Sequence, residues 1–155
     1  TDPAVGLGRV GTLERAVTLR ELAERLAARI PQGVQGLRVA GDPERRVSTV
    51  AVCGGSGDSL FDEVREHGAD VYVTADLRHH PASEARERAV GPGGHGTPAL
   101  IDATHWGSEA LWLPWAAEDL QRLLAERGFH VETHVSTLRT DPWDFRVSAD
   151  PQPQD

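Results

Sequence analysis

The chain has 155 residues and a net charge of −8, with sixteen basic residues that are all arginine, no methionine and one cysteine. That length suits one domain with a real core. The acidic balance argues against a clustered basic face for phosphate backbones, so nucleic acid is not expected as a main partner. The lone Cys53 cannot form an intrachain disulfide, no run of eighteen apolar residues or signal-like leader is present, and a soluble, reducing, cytoplasmic compartment with no membrane contact is expected. Arginine without lysine, beside abundant Ala, Gly and Pro, is the usage of a GC-rich bacterial genome, and a first residue Thr1 reads as the start of a processed or excised piece.

In chain order, the stretch 6–11 (GLGRVG) is too glycine-rich for helix or strand interior, and residues 1–17 are taken as a lead-in segment. Thr18-Leu19-Arg20-Glu21 is a capping box. It opens a helix whose apolar stripe, Leu19, Leu22, Ala23, Leu26 and Ile30, ends at Pro31. Leu37 to Ala40 and Val47 to Cys53 read as strands around the turn Gly41-Asp42-Pro43-Glu44, the second nearly continuous in apolar residues and so interior to a sheet. Cys53, ending that run, reads first as a small buried hydrophobe and second as a reactive thiol. Residues 54–59 then open a helix that runs to about His67.

Val71 to Thr74 and Pro98 to Ile101 are two further strands, with a surface loop at 92–96. From Trp106 to Gly128 the pattern is helical, Pro114 opening or kinking a second helix and Gly128 stopping it. Phe129 to Val135 is expected to be the last strand, and residues 148–155 a disordered tail. Alternating strands and helices imply an α/β lobe over residues 18–147, a mixed or mostly parallel sheet flanked by helices.

Three constellations carry chemistry. His105 and Glu109 are four residues apart, so on a helix capped by Thr104 they share one face and can reach one metal ion, although the same spacing also serves plain surface pairs. Asp76, His79 and His80 follow the strand Val71 to Thr74, at the sheet edge where open α/β folds put their chemistry; the alternative is a polar loop before a Pro81-initiated helix. Gly54-Gly55-Ser56-Gly57 lies between strand and helix, as either an anion cradle or a tight turn. Neither the serine-nucleophile nor the dinucleotide fingerprint is met, at Asp58 and Leu60 respectively. Trp106, Trp112, Trp115 and Trp143 read first as core or interface anchors, and His67, His95, His130 and His134 as structural.

Five segments taken together resemble a known family: GLGRVG (6–11), VAVCGGSG (50–57), DVYVTADLRHH (70–80), IDATHWGSE (101–109) and VSTLRTDPW (135–143). In this order they are similar to the carboxyl-terminal half of the NIF-three-like proteins, also called GTP cyclohydrolase 1 type 2 homologues or dinuclear metal centre hexameric proteins. The likeness runs from Val5 to about Phe145. It implies one half of a two-lobed dinuclear-metal fold, two divalent ions (zinc, manganese, iron or cobalt) per full-length subunit, and a toroidal homohexamer.

The family's His and Glu four residues apart map onto His105 and Glu109. Its other ligands, a His-His-Pro pair and an aspartate, belong to the amino-terminal half. His79-His80-Pro81 sits elsewhere, so that role is not carried onto it. The resemblance implies a metal-dependent hydrolase acting on a small molecule or nucleotide, with GTP ring opening as the named activity and little activity in the isolated lobe. Asp102 is a candidate to orient His105, and the loop 54–59 to contact phosphate. A non-catalytic assembly module and a nucleotide-binding regulator are the other two readings.

Overall fold

The computed structural model describes residues 5–31 and 33–147. A five-stranded sheet is built from β1 (Arg9–Thr18), β2 (Arg38–Ala40), β3 (Arg46–Ser56), β4 (Val71–Ala75) and β5 (Ala99–Ala103). Around it lie α1 (Leu19–Ala27), α2 (Phe61–Glu66, after a 3₁₀ turn at Asp58–Leu60), α3 (His79–Val90), α4 (His105–Ala110) and α5 (Leu113–Ala125). The strand order is β1-β3-β4-β5-β2. β3, β4 and β5 run parallel, while β1 on β3 and β2 on β5 are antiparallel edges, so the sheet is mixed.

Parallel strands covered on both faces read as unbroken apolar runs, and all five residues of β4 and of β5 are buried. Strand alternation then splits the core in two. Val71, Val73, Ala99 and Ile101 face α1 and pack with Val17, Leu19 and Leu22. Tyr72 and Leu100 face the other way and meet Phe61, Val64 and Ala85 of α2 and α3. Cys53 lies buried in this second cluster, as a small core residue.

The local signals hold. Thr18 Oγ1 accepts the Glu21 amide at 3.0 Å and caps α1. Pro114 stands in the first turn of α5. Gly128, at φ +82°, ends the helical stretch with its amide on Ala125 O, while the Phe129 amide reaches Leu124 O. This is a Schellman arrangement, and its left-handed residue is why glycine stands there.

Two expectations are corrected. Residues 9–18 are strand, not lead-in. β1 is an edge strand in which only Val17 is buried, so it is held by backbone pairing to β3 and shows no apolar alternation to read. Phe129 to Val135 forms no strand: the alternating pattern is present, but among the described residues it pairs with none of the five strands, and Phe129 and Val131 stay exposed. Extended backbone becomes a strand only when a neighbouring edge accepts its hydrogen bonds. The tail at 148–155 lies outside the described residues.

Asp70 ties the starts of β3 and β4 together. Its Oδ2 accepts the Ser48 and Thr49 amides, both at 2.8 Å, and the Ser48 hydroxyl at 3.1 Å. Burial raises its pKa, but the Thr49 and Ser48 amides, the Ser48 hydroxyl and the Arg45 charge outweigh it and hold the carboxyl below the ordinary 3.8. A depressed folded pKa means stability that is present above pH 3.8 and lost as pH falls through the folded value. Asp70→Ala is expected to cost about 2 kcal/mol at neutral pH, with the gap to wild type closing in acid. Urea unfolding at neutral and at acid pH measures both; a gap that does not narrow in acid removes the ionic part of the argument.

Candidate functional site

The carboxyl ends of β3, β4 and β5 converge on one edge of the sheet, and α4 leaves β5 there. Thr104, buried between the two, accepts the Gly107 amide at 3.2 Å and so starts the helix at His105. Gly107 packs tightly: an added Cβ there would overlap Pro31 O and Thr104 Oγ1. Ser108 Oγ donates to His105 O at 2.9 Å and accepts the Gly55 amide at 3.0 Å, which pins α4 to the end of β3.

One helical turn places His105 Nε2 at 3.2 Å from Glu109 Oε1. On the other side of the ring, Nδ1 lies 2.6 Å from Asp76 Oδ2. All three side chains are about half exposed, at 46% for His105 and 52% for each carboxylate. Hydrogen bonding to Asp76 is the main reason the His105 pKa is raised; partial burial opposes it, and the charges of Glu109 and Asp76 add to it. Asp76 follows β4 with φ +53°, in the left-handed region that a non-glycine residue seldom occupies. That turn directs its carboxylate toward the neighbouring strand's helix.

Gly55 lies under the pair, also left-handed at φ +69°. A Cβ there would stand 2.5 Å from Glu109 Oε1 and 3.2 Å from His105 Nε2, so the missing side chain leaves open the space both donors face. A nitrogen and a carboxylate oxygen so placed fit two positions of a divalent cation's shell. They do not complete one: among the described residues no three His, Cys, Asp or Glu side chains gather so as to hold a metal.

The pair opens on a pocket of about 470 Å³ whose lining includes Asp76, Trp106, Asp141 and Trp143. Asp141 Oδ2 is shut off from solvent and, among the described residues, has no hydrogen-bond partner. Sequence reasoning gave Asp141 no role of its own. Two of the four tryptophans, Trp106 and Trp143, reach this pocket. Trp112 and Trp115 are 59% and 66% exposed, and α5 has no buried residue, so core burial is wrong for them.

Three other expectations change. Asp102 does not orient His105. Alternation along β5 sends it to the face of Leu100, where it pairs with Arg38 and accepts the Leu77 amide at 3.4 Å; burial raises its pKa and Arg38 opposes the rise. His79 lines a second pocket, with Arg38 and Asp102, and the His80 ring meets the His79 ring edge-on with centroids 5.4 Å apart, so neither joins His105. Both stand in the first turn of α3, which begins at His79 and not at Pro81, so the alternative of a polar loop before a Pro81-initiated helix places the helix start two residues late.

The glycine-rich segment reads as packing rather than as an anion cradle. Residues 54–56 are the end of β3, the Gly55 amide is taken by Ser108, and the Gly55 and Gly57 carbonyls accept Thr74 Oγ1 and Tyr72 OH, each at 3.0 Å. With the Gly55 amide and these carbonyls committed inside the fold, nothing here favours the nucleotide-regulator reading.

Residues 2–142 match the Duf34/NIF3 (NGG1p interacting factor 3) family. The chain is 51% identical over 146 residues to the GTP cyclohydrolase 1 type 2 homolog of Streptomyces coelicolor, covering 94% of this chain and 49% of that protein. Two crystal structures are similar to it. A Staphylococcus aureus protein superposes with a TM-score of 0.76 at 28% identity, over 91% of this chain and 37% of its own. A Bacillus cereus protein related to NIF3 superposes with a TM-score of 0.74 at 30% identity, over 91% of this chain and 36% of its own. The chain thus spans half or less of the length of these relatives.

Proposed function

From the premise that this chain belongs to the Duf34/NIF3 family, we propose that it is the carboxyl-terminal lobe of a divalent-metal-binding hydrolase acting on a small molecule or nucleotide. The observation that carries this reading is the His105–Glu109 pair, 3.2 Å apart over the side-chain-free Gly55. His105 Nε2 and Glu109 Oε1 are the ligands. In a two-lobed subunit the opposite lobe supplies the rest, and zinc, manganese, iron and cobalt all suit imidazole with carboxylate. Two such ions per full-length subunit are part of this proposal.

The chemistry such ions supply is polarisation of a substrate oxygen or ring carbon and a lower pKa for water. What this chain does around them is orient and screen. Thr104 and Ser108 fix the start of α4, so that both ligands are presented on one face. Trp106 and Trp143 flank the pocket and give a planar substrate an aromatic wall. Several carboxylates around the same space place a negative field there, which favours cations and substrate groups that donate hydrogen bonds.

The relatives' name points to GTP as the substrate to try. The test joins this lobe to the remaining half of the Streptomyces coelicolor relative and measures GTP consumption with zinc or manganese, for wild type and His105→Ala. Metal-dependent turnover that disappears in the variant is expected. Normal assembly with no turnover in either protein sinks the hydrolase and favours the second reading, a metal-binding or assembly module. The exposed apolar residues Trp112, Trp115, Leu120 and Leu123 on and beside α5 speak for that second reading, as a face for subunit contact in a cytoplasmic homohexamer. Among the described residues no helix is long and apolar enough to cross a membrane.

A further inference from the structure

His105 has two ring nitrogens, and a metal can use only one that carries a lone pair. Which nitrogen holds the proton is therefore as important to the site as where the ring lies. In this fold both nitrogens face carboxylates: Nδ1 faces Asp76 Oδ2 at 2.6 Å, and Nε2 faces Glu109 Oε1 at 3.2 Å. The shorter contact is the stronger hydrogen bond, so a single ring proton goes to Nδ1.

Asp76 is held for that contact. The β4–β5 register sets Ala75 beside Ala103, which brings the residue after β4 next to the start of α4. Its φ of +53° is a sparsely populated conformation for a residue with a side chain. The described hydrogen bonds of its carboxylate end on His105 alone. Such a residue is poorly explained by packing, since it is half exposed and neither apolar cluster includes it.

We propose that Asp76 is a positioning residue: by accepting the Nδ1 proton it fixes the ring's orientation and tautomer, and leaves the Nε2 lone pair aimed at the space above Gly55 that Glu109 also faces. It is not itself a ligand. A carboxylate on the far nitrogen of a metal-bound histidine raises the ligand's basicity and removes the cost of reorienting the ring. The inference rests on the metal reading above, yet the ring tautomer can be read without any metal.

The test compares wild type, Asp76→Asn and Asp76→Gly. Asparagine tolerates the left-handed backbone and keeps the side chain's size, while glycine removes the strain altogether, so at least one variant should fold. Long-range nitrogen–proton NMR of the metal-free, ¹⁵N-labelled chain at alkaline pH, with His105 assigned by its absence from His105→Ala, reports which nitrogen is protonated. Zinc binding by calorimetry gives the second readout.

The expected result is an Nδ1-protonated ring in wild type, a shift of the proton toward Nε2 in both variants, and zinc affinity lower by about 10–100-fold. An unchanged tautomer in the variants, or variants that bind zinc as tightly as wild type, overturns the proposal. If Asp76 merely steadies the start of α4, thermal stability falls and the tautomer stays as it was, which also overturns it. Wild type that binds no zinc even when joined to the complementary half overturns the metal reading instead, and the tautomer comparison still decides the role of Asp76.

Discussion

The double variant His105→Ala/Glu109→Ala is expected to lose retained metal entirely, while folding as well as wild type. Structural zinc sites with four protein ligands bind with roughly 10–16 kcal/mol, so each ligand stands for about 3 kcal/mol. A lobe that offers two has little to spare. Loss of both leaves Asp76 and Asp141 in the pocket without the imidazole that gives the site its preference for transition metals. Stability should hardly change, because both side chains are half exposed and such a pair is worth about 0–1 kcal/mol. Metal content per chain by plasma mass spectrometry, after chelation and reloading with zinc or manganese, measures the first part, and thermal unfolding the second. A double variant that keeps its metal places the ion elsewhere, and the proposed ligands fall with it.

The largest effect on the fold itself is expected at Gly57. A Cβ there would overlap Thr74 Oγ1 and Tyr72 OH and come within 2.9 Å of Thr74 Cβ. Both hydroxyls are buried donors, Tyr72 to Gly57 O and Thr74 to Gly55 O. Burial pushes the Tyr72 pKa up to about 12, so the phenol stays a donor across the physiological range. Neither residue can step aside, since each belongs to the fully buried strand β4. Gly57→Ala therefore combines overpacking, about 1–3 kcal/mol, with strained or broken buried hydrogen bonds of similar cost, and should lower stability by about 3–5 kcal/mol.

Gly11→Ala is the matched control. Nothing lies within 4 Å of its added Cβ, and a solvent-facing edge strand tolerates alanine at least as well as glycine. Urea midpoints for the two variants decide the matter. Gly57→Ala as stable as Gly11→Ala would show that the segment is not packed as described, and would reopen the anion-cradle reading.

Much of this molecule is legible in the order of its residues. The N-cap at Thr18, the proline in the first turn of α5 and the glycine stop at Gly128 each act within one helical turn, so they operate wherever the helix lies. The apolar runs of β4 and β5 mark a covered parallel sheet because such a sheet hides both faces of a strand, whereas β3, next to the edge, alternates buried with exposed residues. His105 and Glu109 share a helix face for the same short-range reason.

What escaped such reading depends on pieces far apart in the chain. β1 has little side-chain pattern to read, since it lies at the sheet edge with only Val17 buried and its register on β3 is set by backbone pairing. Phe129 to Val135 has the pattern and forms no strand, since a strand is a property of two segments and not of one. Asp102 and Asp76 stand three and twenty-nine residues from His105, and it is the distant one that touches it. Strand alternation turns the nearer carboxylate to Arg38 on the other face, while the β4–β5 register and one left-handed residue bring the farther one to Nδ1.

The sequence alone thus determined the α/β class, the helix ends and a histidine–glutamate pair on one turn, because each follows from interactions spanning a few residues. Only the tertiary structure decided which acid holds that histidine, which glycines are packing and which is the floor of a site, and which tryptophans reach the pocket. Those depend on strand register and on the face each side chain takes, and both are set only once distant segments have packed.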